Sequence, residues 1–257
     1  MKRMNRIFKP DGKTVVVAMD HGMGMNVNPA LDRTEEILKA IVAGGADALL
    51  VSYGIAKKYG DILQDVGLIV RCDGGYSAIP SAANGYPRLL FSVEDALKVG
   101  ADAVICNGFP GTPDEQECMK NVGTLVAQGN EWGVPVMAEM LPGGFGNSVP
   151  KTVENVRLAA RTGCEYGASI IKTTYTGSPE EFRQVIDAAY QPVIILGGEA
   201  TSELPALFDC IEKAMGVGAA GVAIGRNVWK HPDPEAVTRA LVDLVHNGKK
   251  AADIQGL

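Results

Sequence analysis

The stretch ASIIKTTYTGSPEEF, residues 168–182, places a lysine at the end of a predicted buried strand. Ala168, Ile170 and Ile171 are apolar, and Lys172 follows them directly. Burying a charged lysine is costly because desolvation disfavours the ammonium form. Two interpretations stay open at this point. Either the side chain reaches solvent past the end of the strand, or the fold uses its amine.

The second interpretation makes Lys172 a nucleophile. A lysine with the ordinary pKa of about 10.4 is neutral in only about one molecule in 2,500 at pH 7. Partial burial would lower that pKa and expose the lone pair for attack on a ketone. The iminium that forms withdraws electrons from the adjacent carbon. Carbon–carbon bonds are then made or broken without a metal ion.

Two carboxylates and a histidine also lie at or just after the ends of predicted strands. Asp20, in the sequence MDHG, is either a loop cap or a carboxylate that transfers protons or holds a substrate hydroxyl. Glu139 is a similar candidate, although the last residue of a strand points to either face. His21 is more often a structural residue than a catalyst in such a position, and we keep it as a candidate substrate contact.

Two glycine turns follow the last two predicted strands, at Gly197-Gly198 and at Gly225-Arg226. Turns without side chains let backbone N–H groups approach a phosphate, and Arg226 adds a cation. The alternative is that tight loops require these glycines and that Arg226 forms a structural ion pair. Because both strands show the pattern, we expect a phosphate site formed by Gly197, Gly198, Gly225 and Arg226.

Metal and dinucleotide sites are not expected. The sequence contains three histidines, of which His231 falls in a predicted loop and His246 on the last helix, so a multi-histidine zinc site is hard to assemble. GVGAAG, residues 216–221, matches a glycine-rich dinucleotide motif but precedes a strand, whereas that motif must follow one. We therefore predict an enzyme without metal or cofactor.

Short β-branched runs recur along the chain, each followed by a helical pattern. They are continuous apolar runs, which is typical of parallel strands covered on both faces. The predicted strands are residues 14–19, 47–52, 67–72, 102–106, 134–139, 168–173, 192–196 and 221–225. Eight strand–helix pairs in 257 residues predict a single α/β domain, a (β/α)₈ TIM barrel over residues 1–257. A doubly wound open sheet is the alternative.

In such barrels the carboxyl ends of the strands carry the chemistry, so Lys172 is expected at the open mouth. The helices between the strands end in small residues. Glycines at 44, 45, 100, 129, 163, 216 and 218 fit helix ends in the left-handed conformation.

Composition narrows the function classes. The net charge is 24 − 30 = −6 and no basic run exceeds Lys249-Lys250, which argues against binding nucleic acid or an anionic membrane. Five scattered cysteines form no CxxC pair, so neither disulfides nor a zinc cluster is indicated. With no signal peptide or membrane span in the pattern, we expect a cytoplasmic protein. The ligand expected from the glycine turns is a small phosphorylated molecule.

Several motifs resemble one enzyme family: MNRIFKPDGKTVVVAMDHG, IIKTTYTG, ILGGEA, GVAIGRNVW and the ending NGKK. The chain resembles class I aldolases of the archaeal fructose-bisphosphate aldolase type, with the related amino-dideoxy-heptulosonate synthases and phospho-autoinducer thiolase. The resemblance implies a (β/α)₈ barrel, a Schiff-base lysine at Lys172, an acid/base carboxylate at Asp20 and a site-supporting tyrosine at Tyr175. The sugar phosphate would bind the two glycine turns, and the protein would be a homo-oligomer.

One motif departs from that family. Its aldolases and synthases usually read YPRG after the fifth strand, where the tyrosine donates a proton, and the sequence EMLPGG places Leu141 and Gly143 at the tyrosine and arginine positions. Leucine does not transfer protons, so Glu139, Asp20 or water takes that role, or the reaction differs. We therefore predict a Schiff-base aldolase, with two alternatives: a thiolase or acyl-transfer enzyme on a phosphorylated dione, and a non-catalytic sugar-phosphate-binding barrel.

Overall fold

The computed structural model describes residues 2–23, 28–75, 77, 86–146, 148–197 and 204–257. Eight parallel strands close into a barrel, in which each strand pairs with the next one along the chain and the eighth pairs with the first. The strands are β1 (Thr14–Met19), β2 (Ala48–Ser52), β3 (Gly67–Arg71), β4 (Ala103–Gly108), β5 (Val136–Met140), β6 (Ile170–Thr173), β7 (Val193–Leu196) and β8 (Gly221–Ile224). The predicted (β/α)₈ barrel is confirmed, and the open-sheet alternative is wrong.

Helices alternate with the strands and cover the outside of the barrel. They are α1 (Met4–Ile7), α2 (Thr34–Ala43), α3 (Tyr53–Lys58), α4 (Gly60–Leu63), α5 (Val93–Lys98), α6 (Glu115–Trp132), α7 (Val153–Glu165), α8 (Pro179–Ala188), α9 (Leu204–Gly216), α10 (Arg226–Trp229) and α11 (Pro234–Val245). Ser92, Thr152 and Ser178 cap the amino ends of α5, α7 and α8 through their hydroxyl groups. Among the described helices, none combines the length and apolar character needed to cross a bilayer.

The strand residues alternate between two apolar layers. On β1, Val16 and Ala18 pack inside the barrel, whereas Val15 and Val17 pack outward against the helices. Ile7, at the end of α1, is fully buried in the inner layer, and its carbonyl accepts a 2.6 Å hydrogen bond from the Thr14 hydroxyl. The amino-terminal segment therefore closes the bottom of the barrel, and the carboxyl ends of the strands form the open mouth.

The glycines before the strands have two different roles. Gly45, Gly100 and Gly218 have positive φ angles, as predicted for turns that follow helices. Gly129 and Gly163, in contrast, lie inside α6 and α7, so the prediction that they end helices is wrong. A Cβ on Gly129 would lie 2.7 Å from the Val134 carbonyl oxygen. These two glycines are required because their helices approach the barrel wall closely.

The assignment of residues 1–257 to one domain stays a prediction. The closed barrel supports it because β1 and β8, near opposite ends of the chain, pair directly from Thr14↔Gly221 to Val17↔Ile224.

Candidate active site

The alternation of the strands brings polar side chains into the barrel mouth. On β6, Ile170 packs inside the barrel, so Lys172, two residues later, points to the same side. The same relation holds on β5, where Met137 packs inside and is followed by Glu139. The polar side chains delivered in this way line a cavity of about 310 Å³ at the carboxyl ends of the strands.

Most of the predicted site residues meet in this cavity. The predicted residues that line it are Lys172, Asp20, Glu139, His21, Gly197, Gly225 and Arg226. Gly198 lies outside the described residues. Tyr175 does not line the cavity: its ring packs on Phe182 with 5.2 Å between centroids, and burial raises the pKa of its phenol. Tyr175 thus packs between β6 and α8, and its role in supporting the site stays a prediction.

Lys172 and Glu139 form a buried ion pair. Their Cα atoms are register partners on β5 and β6, and Lys172 Nζ lies 2.9 Å from Glu139 Oε1. Lys172 is 5% exposed and Glu139 2%. The lysine thus ends neither in solvent nor in an apolar core, because a neighbouring strand supplies its counter-charge.

Arg71, at the end of β3, connects the carboxylates of the cavity. Its Nε donates a 2.8 Å hydrogen bond to Asp20 Oδ2, and its Nη1 donates a 3.3 Å bond to Asp73 Oδ1. Its Nη2 donates to Glu139 Oε2. The sequence pattern assigned no role to Arg71 or to Asp73. Arg71 is the planar, multiply donating cation that a set of buried carboxylates requires.

The cations of the cavity keep two carboxylates ionised. Burial raises the pKa of Asp20, but the charges of Arg71 and Lys172, and that of His21 in its protonated form, outweigh it and lower that pKa to about 2. Burial also opposes ionisation of Glu139, yet Lys172 and Arg71 lower its pKa below the ordinary value. At neutral pH both groups are therefore ionised and act as hydrogen-bond and proton acceptors.

The Asp73 carboxylate behaves differently, because burial raises its pKa and this effect exceeds the opposing influence of Arg71. Within the described ranges, no group of three His, Cys, Asp or Glu side chains is arranged to hold a metal ion. The chemistry that these residues themselves supply is an amine nucleophile beside two ionised carboxylates.

His21 lies between the carboxylates and the β8 turn. Its Nδ1 is 3.6 Å from Asp20 Oδ1, and its ring packs edge-on against Trp229 with 5.3 Å between centroids. Burial lowers the pKa of His21 more than Asp20 raises it. The imidazole is therefore neutral at pH 7.

Gly197, which follows β7, lies beside the β8 turn at the cavity. Asn227 Nδ2 donates a 3.2 Å hydrogen bond to the Gly197 carbonyl, which ties the β8 turn to the end of β7. A Cβ on Gly225 would lie 2.4 Å from His21 Cε1 and 2.7 Å from the Ala18 carbonyl oxygen. Glycine at position 225 is thus required by packing, while its backbone and the Arg226 side chain both line the cavity.

The β5 side of the cavity is apolar. Leu141 is 2% exposed, packs with Phe109, and lines the cavity together with Phe145. Gly143 has a φ angle of 71°, and a Cβ there would lie 2.6 Å from the Val149 backbone nitrogen. An arginine at this position would be strained, so the loop after β5 follows a path suited to this sequence.

Comparisons with known proteins agree with this geometry. The chain is 36% identical over 245 residues to the 2-amino-3,7-dideoxy-D-threo-hept-6-ulosonate synthase of Halobacterium salinarum, covering 95% of this chain and 91% of that protein. The crystal structure of an archaeal fructose 1,6-bisphosphate aldolase superposes with a TM-score of 0.87 at 31% identity, covering 96% of this chain and 99% of that one.

A second archaeal fructose-1,6-bisphosphate aldolase structure has its catalytic lysine covalently bound to the carbinolamine intermediate of the substrate. It superposes with a TM-score of 0.86 at 30% identity, covering 95% of this chain and 98% of that one. Residues 14–231 of the present chain, which include all eight strands, match the family described as DeoC/LacD family aldolase. The chain therefore belongs to the DeoC/LacD family of aldolases.

Proposed function

We propose that the protein is a metal-independent class I aldolase that acts on a phosphorylated ketose, or joins a dihydroxyacetone-phosphate unit to an aldehyde. Lys172 is the Schiff-base nucleophile. The observation that carries this proposal is the buried Lys172 amine at the cavity floor, 2.9 Å from the Glu139 carboxylate. The Glu139 carboxylate gives the ammonium proton of Lys172 a direct acceptor, and the amine left after that transfer is a nucleophile.

In the cleavage direction, the Lys172 amine adds to the ketone carbon, and loss of water gives an iminium. A base removes the proton from the hydroxyl on the carbon two bonds away. The bond between the hydroxyl-bearing carbon and the carbon adjacent to the iminium breaks. Its electron pair forms an enamine on the donor half, and the hydroxyl-bearing carbon leaves as the aldehyde. Protonation of the enamine and hydrolysis of the iminium release the ketone and regenerate the amine.

Asp20 and Glu139 are proposed to move the protons. Glu139 accepts the proton of the Lys172 ammonium, because the two groups are in direct contact. Asp20 is oriented by Arg71 and is ionised at neutral pH, so it accepts the hydroxyl proton during bond cleavage. Leu141 lines the same cavity and contributes no proton, which leaves this role to the carboxylates.

The phosphate is proposed to bind at Gly197, Gly198, Gly225 and Arg226. The support is that Gly197, Gly225 and Arg226 all line the cavity and that Asn227 holds the two turns together. Backbone N–H groups and a guanidinium are suited to a phosphate dianion. His21, neutral and beside Gly225, is proposed to contact the substrate from the β1 side.

Borohydride trapping tests the proposal directly. The protein is incubated with dihydroxyacetone phosphate, reduced and digested, and the modified peptide is read by mass spectrometry. We expect a three-carbon phosphate adduct on Lys172. A folded protein that shows no adduct there with any phosphorylated ketone would contradict the proposal.

The aldolase family match favours this reaction over thiolase or acyl-transfer chemistry and over a non-catalytic barrel. A thiol requirement for turnover would identify a thiolase, and we expect none.

Assembly and location remain predictions. We propose a homo-oligomer, supported by exposed apolar side chains at Trp132, Leu158, Tyr166 and Tyr190 on neighbouring segments of the α6–α8 surface. Light scattering coupled to size exclusion tests it. The five cysteines are free thiols, four of them buried, which fits the cytoplasmic location expected from the sequence.

A further inference from the structure

We infer that Asn107 is a substrate-binding residue, whose Oδ1 accepts a hydrogen bond from a hydroxyl group on the aldehyde half of the substrate. This inference rests on the proposed aldolase function and specifies the chemical class of the aldehyde. Asn107 Oδ1 is a buried acceptor in the cavity wall that has no hydrogen-bond partner among the described residues.

The orientation of the Asn107 amide is fixed by Asp73. Both the Asn107 backbone N–H and its Nδ2 donate to Asp73 Oδ2, at 2.9 and 2.7 Å, and Asp73 is held in turn by Arg71. A carboxylate oxygen accepts hydrogen bonds, so the amide nitrogen must face it and the amide oxygen must face away. Oδ1 is consequently directed away from Asp73, on a side chain that lines the cavity.

The lack of a partner for Oδ1 is costly. Asn107 is 5% exposed, and a buried acceptor without a hydrogen bond loses its hydration without compensation. None of the donors that line the cavity forms a hydrogen bond with Asn107 Oδ1 in the described part of the structure. A group brought by the substrate satisfies this acceptor, which gives substrate binding a specific polar contact.

The position of Asn107 identifies which half of the substrate it meets. Asn107 pairs with Glu139 across the β4–β5 ladder, and Glu139 pairs with Lys172 across the β5–β6 ladder. With strands about 4.8 Å apart, the Asn107 backbone lies roughly 10 Å from that of Lys172. The proposed phosphate turns follow β7 and β8, on the opposite side of Lys172. A substrate whose phosphate binds these turns and whose ketone carbon is bonded to Lys172 therefore directs its aldehyde half toward Asn107.

Asn107 Oδ1 and the Asp73 carboxylate behind it together favour an uncharged hydrogen-bond donor. A phosphate dianion or a carboxylate carries no proton to donate and would face both the amide oxygen and the Asp73 carboxylate behind it. A hydroxyl group donates one hydrogen bond without bringing a second negative charge close to the Asp73 carboxylate. The expected aldehyde thus carries a hydroxyl group within reach of β4, beside carbon atoms that contact Leu141 and Phe145.

Paired aldehydes test the inference. Aldol addition with dihydroxyacetone phosphate is measured for 3-hydroxypropanal against propanal, and for glycolaldehyde against acetaldehyde, as the ratio of kcat/KM within each pair. Asn107→Leu is compared with the wild-type protein, so that the intrinsic reactivity of each aldehyde cancels. Asn121→Leu, on α6, is the matched control, since Asn121 donates to the Pro87 carbonyl outside the cavity.

We expect the hydroxyl preference of at least one pair to fall roughly ten-fold in Asn107→Leu and to stay at the wild-type value in Asn121→Leu. Asn107→Ala is expected to give the same loss if Asn107→Leu fails to fold. Unchanged ratios in both pairs for a folded Asn107 variant would overturn the inference. Failure of the wild-type protein to form the trapped dihydroxyacetone-phosphate adduct would instead refute the aldolase proposal itself.

Discussion

Lys172 and Glu139 are direct neighbours across the β5–β6 ladder, and the 2.9 Å contact between Nζ and Oε1 follows from that register. Because successive side chains of a strand point to opposite faces, a shift of one residue in either strand would turn one of the two groups outward, toward the helices. The ion pair at the cavity floor is therefore as closely tied to the pairing of the barrel strands as it is to the identity of the two residues.

Replacing Lys172 by Met should abolish catalysis. We expect kcat/KM for aldol addition to fall at least about a thousand-fold, because no other group in the proposed mechanism forms the iminium. Lys151→Met is the matched control, since Lys151 is another lysine that lines the cavity. In that variant the borohydride-trapped adduct should still form on Lys172. An adduct on Lys151 in the wild-type protein would contradict the assignment.

Acid should remove a contribution that Asp20 makes to stability. Its folded pKa is about 2 against an ordinary value of 3.8, so the stabilisation is present above about pH 4 and is lost as pH falls toward 2. The free energy of unfolding of the wild-type protein should exceed that of Asp20→Asn by an amount that shrinks by on the order of 2 kcal/mol over this range. Urea titrations at several pH values measure it. Asp61→Asn, at an exposed position of α4, should show no such trend.

His246 should have the opposite pH dependence at the closed end of the barrel. Its hydrogen bond to Asp47, 2.8 Å from Nε2, raises its pKa most, burial opposes this, and a 2.7 Å contact between Nδ1 and Asp11 adds to the rise. The stabilisation is complete below the ordinary value of 6.5 and is lost as pH rises through the raised pKa.

The wild-type Tm should therefore fall from pH 6 to pH 9 more steeply than the Tm of His246→Gln. Parallel curves for the two proteins would show that the imidazolium contributes nothing. Lys9, whose Nζ is 3.4 Å from Asp47 Oδ1, is common to both proteins.

Two glycines of α6 should respond oppositely to alanine. A Cβ on Gly129 would lie 2.7 Å from both the Val134 carbonyl oxygen and Val136 Cγ2, so Gly129→Ala should destabilise the protein by roughly 1–3 kcal/mol. A Cβ on Gly123 would meet only Tyr166 Cδ1 at 3.7 Å, an ordinary contact. Gly123→Ala should be neutral or stabilising by up to about 1 kcal/mol, because alanine favours the helix. Denaturant unfolding of both variants checks the pair, and equal effects would argue against a close approach of α6 to the barrel.

Much of the fold could be predicted because strands and helices alternate with a clear change of period. Each predicted strand overlaps an observed strand, and the lysine at the end of ASIIK reaches the mouth as expected. The family motifs also identified the chemistry, since Lys172 and Asp20 occur in the two most specific stretches. These features depend on local sequence and are therefore readable from it.

The tertiary structure decided what depends on register and on close packing. Barrel strands are apolar on both faces, so the sequence does not distinguish inward from outward positions, and the face of Glu139 was open until its pairing with Lys172 was known. The central place of Arg71 has the same origin, because two of its three partners, Asp20 and Glu139, come from distant parts of the chain.

Gly129 was misplaced, and the packing of Tyr175 was not predicted, for a related reason. A tyrosine next to a catalytic strand and a glycine near the end of a helix have the same local pattern whether they face a site, a turn or a neighbouring element. Only the packing of β6 against α8 and of α6 against the barrel settles their surroundings. The sequence by itself thus determined the order of elements and the position of the proposed nucleophile, whereas strand register and interlayer distance determined which charges surround it.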